Sequence, residues 1–187
     1  MKFEEYERVI MRYGYTGRIT ENIIEEIAQD INLDISHLEQ ENSIQHYFFK
    51  NGRVFQDGVF KPDQLLKIGY LLTIHDSPRL ALESLWGLIN PNMEEYVENN
   101  YIKSFLEDLF YYPVDLHLEY QLKTQHKNGE IEEYLRELDE TKNNAINEIF
   151  WKLDAKVSKA DFIDSCGNKL TASYKIRSLV QPIRNLE

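Results

Sequence analysis

The chain is expected to be all-α, and three features of its 187 residues predict this. Apolar residues recur at spacings of three and four through most of the length, the signature of a helix with one buried face. Almost no stretch alternates apolar and polar with period two, so no extended sheet is predicted. Pro, Ser and Thr stand where helices would begin.

The elements follow in order. Phe3, Tyr6, Val9 and Ile10 share one face of a first helix, and Ile23, Ile24, Ile27 and Ile31 share one face of a second. Leu65, Leu66, Ile68 and Leu72 mark a helix that opens with Pro62 at its first position. Leu80, Leu82, Leu85, Trp86 and Ile89 mark the next, with Ser77 as cap and Pro78 as first residue. Ile102, Phe105, Leu106, Leu109 and Phe110 continue the pattern, and Pro113 should end that helix. Residues 114–129 are polar and mixed and read as a connector. Residues 130–153 contain no Gly or Pro, and Ile131, Leu135, Leu138 and Ile146 keep the helical spacing, so one long helix is expected there. Ser158 and Asp161 form a capping-box pattern ahead of a last helix bearing Phe162 and Ile163.

Composition narrows the function. The 21 Lys+Arg against 32 Asp+Glu give a net charge of −11, which argues against nucleic acid and against an anionic membrane surface. It leaves basic protein segments, cations, or nothing as partners. The single cysteine, Cys166, excludes an internal disulfide and a cysteine-rich zinc site. No apolar run approaches the ~20 residues of a membrane span. MKFEEYERVI puts acids where a signal peptide wants a basic then apolar run, so a cytoplasmic location is expected.

Four interhelix segments share a pattern. They are RYGYTGRITENI (12–23), RVFQDGVFKPDQ (53–64), NPNMEEYVENNY (90–101) and FWKLDAKVSKAD (150–161). Aligned as twelve-residue loops, each has one apolar residue at position 8: Ile19, Phe60, Val97 and Val157. Gly17 and Gly58 both occupy position 6. This arrangement resembles the EF-hand superfamily, in a degenerate calmodulin-like form with four helix–loop–helix units. The resemblance implies two lobes, residues 1–76 and 77–187, each a pair of units. It also implies short β-bridges joining Ile19 to Phe60 and Val97 to Val157.

The departures from that family weigh on metal binding. A strong Ca²⁺ loop wants carboxylate or amide oxygens at positions 1, 3 and 5 and a bidentate Glu at position 12. The first loop has Arg12, Gly14, Thr16 and Ile23; the second has Arg53, Phe55, Asp57 and Gln64. The fourth has Phe150, Lys152, Asp154 and Asp161, in a register that a shortened loop would change. Only the third, with Asn90, Asn92, Glu94 and Glu98, offers several ligands, yet Tyr101 stands at position 12 and Glu95 replaces the turn Gly. No cofactor is expected, beyond weak Ca²⁺ at the third loop.

By the same resemblance, the expected function is a non-catalytic adaptor or light-chain-like subunit. It would bind an amphipathic helix of a larger assembly, with the cytoskeleton as the finer expectation for its setting. The candidate groove residues are Leu71, Leu72, Trp86, Phe105, Leu109, Phe110, Phe162 and Leu170. The alternative is an acidic inhibitor or immunity-type protein that blocks a basic enzyme by charge. A more distant alternative is a metal phosphohydrolase built on His46 and His75-Asp76, but the adjacent Ser77-Pro78 places that pair at a helix boundary. His37, His117 and His126 are expected at the surface, and Cys166 as an inert thiol.

Overall fold

The computed structural model describes residues 1–32, 34–41, 43–123, 129–151 and 153–166. It is mainly helical and divides into two compact units, Met1–Ile74 and a second beginning at His75. The boundary expected after Asp76 falls two residues earlier. Among the described residues no helix is long and apolar enough to cross a membrane.

In the first unit, α1 (Phe3–Gly14) and α2 (Glu21–Asp30) flank a loop that ends in β1 (Ile19–Thr20). A 3₁₀ turn (Ser36–Leu38) leads to α3 (Ile44–Phe49). A hairpin follows, β2 (Phe55–Gln56) and β3 (Val59–Phe60), and then α4 (Pro62–Leu72). The strands form an antiparallel sheet in the order β1-β3-β2, with Ile19 opposite Phe60 and Phe55 also opposite Phe60. Asp57 and Gly58 carry the turn at φ 53 and 78, the left-handed pair that a two-residue hairpin requires and that Asp-Gly supplies at low cost.

α1 crosses α4 at close range. A Cβ on Gly69 would stand 1.9 Å from the Tyr6 ring, so only glycine admits this approach. The Tyr6 hydroxyl, buried beneath α4, donates to the Leu65 carbonyl at 3.0 Å. The unit is closed where its ends meet. Phe3 N donates to Ile74 O and Ile74 N donates to Met1 O, forming a parallel bridge between Lys2 and Ile74.

In the second unit, α5 (Pro78–Ile89) begins at Ser77, whose Oγ accepts from Leu80 N at 3.2 Å. β4 (Val97–Glu98) leads into α6 (Asn99–Phe110). The chain does not stop at Pro113. A π-helical turn, Tyr111–Asp115, carries it into α7 (Leu116–Lys123). Leu116 N reaches back five residues to Tyr111 O, so the widened turn accommodates the proline, which has no N–H to give. The expected connector at 114–129 is therefore helical through Lys123, with Val114, Leu116 and His117 buried. The long helix, α8 (Gly129–Phe150), ends before Leu153. β5 (Lys156–Val157) pairs antiparallel with β4, Val97 opposite Val157, and α9 (Lys159–Cys166) follows. The Ser158–Asp161 capping box forms: Ser158 Oγ accepts from Asp161 N at 3.2 Å, and Asp161 Oδ2 accepts from Ser158 N at 3.2 Å and from Ser158 Oγ at 2.6 Å. These bonds to Ser158 hold the Asp161 carboxyl below the usual carboxylate range.

Candidate functional site: a cleft in the first unit and the paired loops

The four loops enter their outgoing helices in the same way. Each outgoing helix begins two residues after the apolar strand residue: α2 at Glu21 after Ile19, α4 at Pro62 after Phe60, α6 at Asn99 after Val97, α9 at Lys159 after Val157. Ile19, Phe60, Val97 and Val157 are all buried, so each pair ties two helix–loop–helix segments through one cross-strand contact.

The ligand-bearing positions are put to other uses. Arg12, first in its loop, forms an ion pair with Asp30 at the end of α2, and Tyr13 Oη donates to the same carboxylate at 2.9 Å. The Asp57 backbone of the second loop forms the hairpin turn with Gly58. In the third loop Asn90 is buried, and both ends of its amide are taken by the Glu94 backbone, at 2.9 Å to N and 2.7 Å to O. Its left-handed residue is Met93, at φ 55, and not the position-6 Glu95. Asn92, Glu94 and Glu98 are exposed. Asn99 was not singled out by the sequence reading, yet it ties the third loop to the fourth. Its N donates to Ala155 O at 2.9 Å and its Nδ2 to Leu153 O and Asp154 O at 3.0 and 3.1 Å. Among the described residues no group of three or more His, Cys, Asp or Glu is placed to hold a metal ion.

The expected groove residues are mostly interior. Trp86, Phe105, Leu109, Phe110 and Phe162 are buried in the second unit, with the Trp86 and Phe162 rings 5.3 Å apart between α5 and α9. α6, which carries Phe105, Leu109 and Phe110, packs against α8 and the π-turn. Among the described residues these side chains form core. Leu71 is half-buried and Leu72 exposed in the first unit, and Leu170 lies outside the described residues. His117, expected at the surface, is buried. Burial pushes its pKa down to about 4, and Nδ1 lies 3.3 Å from Tyr112 O, the bond that partly opposes that shift. His126 also lies outside the described residues. Cys166 is buried and its thiol is pushed up to about 12 by desolvation. His46 Nδ1 donates to the Leu38 carbonyl at 2.6 Å, which commits it to a local backbone contact.

An open cleft does exist, in the first unit, with a volume of about 950 Å³. One wall is a stripe of α2 in which Glu21, Ile24, Glu25 and Ala28 repeat at i, i+3, i+4 and i+7. The other wall is the segment around the 3₁₀ turn, with Ile35 and Leu38, followed by α3. This second wall is stitched down. Ser43 caps α3 by accepting from His46 N at 2.9 Å and donates its own hydroxyl to His37 O at 2.6 Å. Asp34 Oδ1 accepts from Ser36 N at 2.9 Å, and these bonds from Ser36 hold its carboxyl below the usual range. Phe60 closes one end, where Lys50 lies 4.1 Å from the Phe55 ring centroid and pairs with Glu21. The cleft's apolar lining is Ile24, Ala28, Ile35, Leu38 and Phe60, and the rest is polar. The rim carries Glu21, Glu25, Asp34, Glu39 and Glu41 against Lys50 and His46.

No protein-family model matches the chain, and no curated protein sequence matches it. The functional reading therefore rests on the geometry. Ile24 belongs both to the apolar face with Ile23, Ile27 and Ile31 and to a second stripe of the same helix, Glu21, Ile24, Glu25 and Ala28, where acids and apolar residues alternate at helical spacing.

Proposed function

We propose that the chain is a non-catalytic, EF-hand-like adaptor that binds an amphipathic helical segment of a partner protein. The reading is carried by one observation: the cleft of the first unit combines an apolar floor (Ile24, Ala28, Leu38, Phe60) with a rim of five carboxylates. An apolar helix face laid on that floor would bury area, while lysines or arginines on its flanks meet the rim. The shared spacing from strand residue to outgoing helix and the pairing of Ile19 with Phe60 and Val97 with Val157 support the family resemblance. The ion pair at Arg12, the hairpin at Asp57 and the engaged amide of Asn90 support loops that hold their shape without a strong Ca²⁺ site. The adaptor would then be constitutive, not switched by Ca²⁺.

A designed peptide of about 18 residues, leucine on one face and lysine on the other, tests this. The full chain should bind it one-to-one, and Ala28→Arg should weaken binding at least tenfold by filling the floor with charge. Equal binding by both proteins would remove the cleft from the account. Salt separates this reading from an acidic inhibitor. A cleft-bound helix keeps most of its affinity in high salt, whereas a purely charge-driven contact loses it.

A further inference from the structure

We propose that the cleft of the first unit is held by the chain's own residues 167–187, which a partner helix must displace. The proposal rests on the helix-binding reading of that cleft and names what competes for it.

Charge sets this segment apart. Residues 167–187, which lie outside the described residues, carry Lys169, Lys175, Arg177 and Arg184 against Glu187 alone. Of the 21 Lys+Arg and 32 Asp+Glu in the chain, residues 1–166 therefore hold 17 and 31. A basic segment is joined to an acidic body. Its apolar residues are patterned as well. Ala172, Ile176, Leu179 and Val180 stand at i, i+4, i+7 and i+8, the spacing that one helical face gathers, with Lys175 and Arg177 to either side of it. The cleft offers the complement. Its apolar lining runs from Ile24 and Ala28 to Ile35 and Leu38, and Glu25, Glu39 and Glu41 are exposed along it. Glu21 pairs with Lys50 and Asp34 accepts from Ser36, so the other three acids are the ones that meet an incoming cation. The nine residues ahead of Ile176 span about 30 Å when extended, the diameter of a small domain. Attachment to the same chain raises the segment's effective concentration at the cleft without any added contact. A segment seated about nine-tenths of the time weakens a competing helix about tenfold. The cleft is then gated by its own chain, and only a partner that outcompetes residues 167–187 is accepted.

The test uses the full chain, ¹⁵N-labelled, with Lys175→Glu and Arg177→Glu together. Before any peptide is added, amides at Ile24, Ala28, Ile35 and Leu38 should differ between the native chain and this variant. The leucine–lysine peptide should then bind the variant about tenfold more tightly. Ile176→Ser with Leu179→Ser, which keeps the charge, should give the same two results. Lys156→Glu with Lys159→Glu makes the same charge change at exposed residues of the second unit and should give neither. Peptide binding of equal strength by native chain and both segment variants, with the cleft amides unmoved, would overturn self-occupancy and leave the helix-binding cleft standing. Peptide binding by none of the proteins, with the cleft amides unmoved, would overturn both. Tightening by the Lys156 and Lys159 variant to the same degree would reduce the effect to net charge and overturn the proposal. So would cleft shifts that grow with protein concentration, which would put a second copy in the cleft.

Discussion

The side-chain amide of Asn90 is closed on both polar groups of Glu94: Oδ1 accepts from its N–H at 2.9 Å and Nδ2 donates to its carbonyl at 2.7 Å. Four residues of loop are thereby folded onto one buried side chain. Asn90→Ala removes both bonds and should cost about 1–2 kcal/mol of stability. Chemical denaturation measures it. Under the proposed Ca²⁺-independent reading, the loss should be the same with and without Ca²⁺.

The contact of Gly69 with Tyr6 sets the spacing of α1 and α4. Any Cβ at Gly69 overlaps the ring, and the ring cannot retreat without giving up its hydroxyl bond to Leu65. Gly69→Ala should destabilise the first unit by about 1–3 kcal/mol, the usual range for overpacking. Leu, Ile or Phe at this position should prevent folding of the unit, seen as loss of its amide dispersion.

His117 gives the second unit an acid-side liability. The unfolded chain takes up this proton near 6.5, while the folded chain refuses it until about 4. The unfolded state therefore binds more protons between those values, and stability rises with pH across that window. Full stability holds above 6.5 and falls as pH drops toward 4, by up to roughly 3 kcal/mol. His117→Gln should flatten this part of the stability profile measured by denaturant titration.

Cys166 is buried, with its thiol pushed up to about 12. At pH 8 almost no thiolate is present, and the sulfur is buried. Iodoacetamide should leave the native protein unlabelled over hours and label it at once in denaturant. Rapid native labelling would show that α9 opens.

Much of this fold is written locally. Helix starts at Ser77-Pro78 and Ser158–Asp161 are encoded within four residues, and the position-8 residues are marked by the helix that follows each one. Such short-range chemistry survives whatever packs around it. The Asp57-Gly58 turn was equally local, but its hairpin was hidden inside a loop aligned for another purpose. Pro113 misled because a proline stops an α-helix and not a π-turn, and the choice between them is made by the buried Tyr112, Val114 and Leu116 around it. The burial of the expected groove residues is hidden from the sequence for a related reason. Apolar spacing shows that Trp86, Phe105 and Phe162 face something, but not whether that is solvent, a partner or α8 and α9. The cleft of the first unit depends on where residues 35–41 settle against α2, which no single helix encodes.

The central claim is that a partner helix lies on α2 and not on the aromatic residues of the second unit. Amide-shift mapping of the ¹⁵N-labelled chain with the leucine–lysine peptide tests it most directly. The account predicts saturable shifts at Ile24, Ala28, Ile35 and Leu38, with Trp86, Phe105 and Leu109 unmoved. Shifts confined to the second unit, or scattered over acidic surface residues and erased by salt, would contradict it.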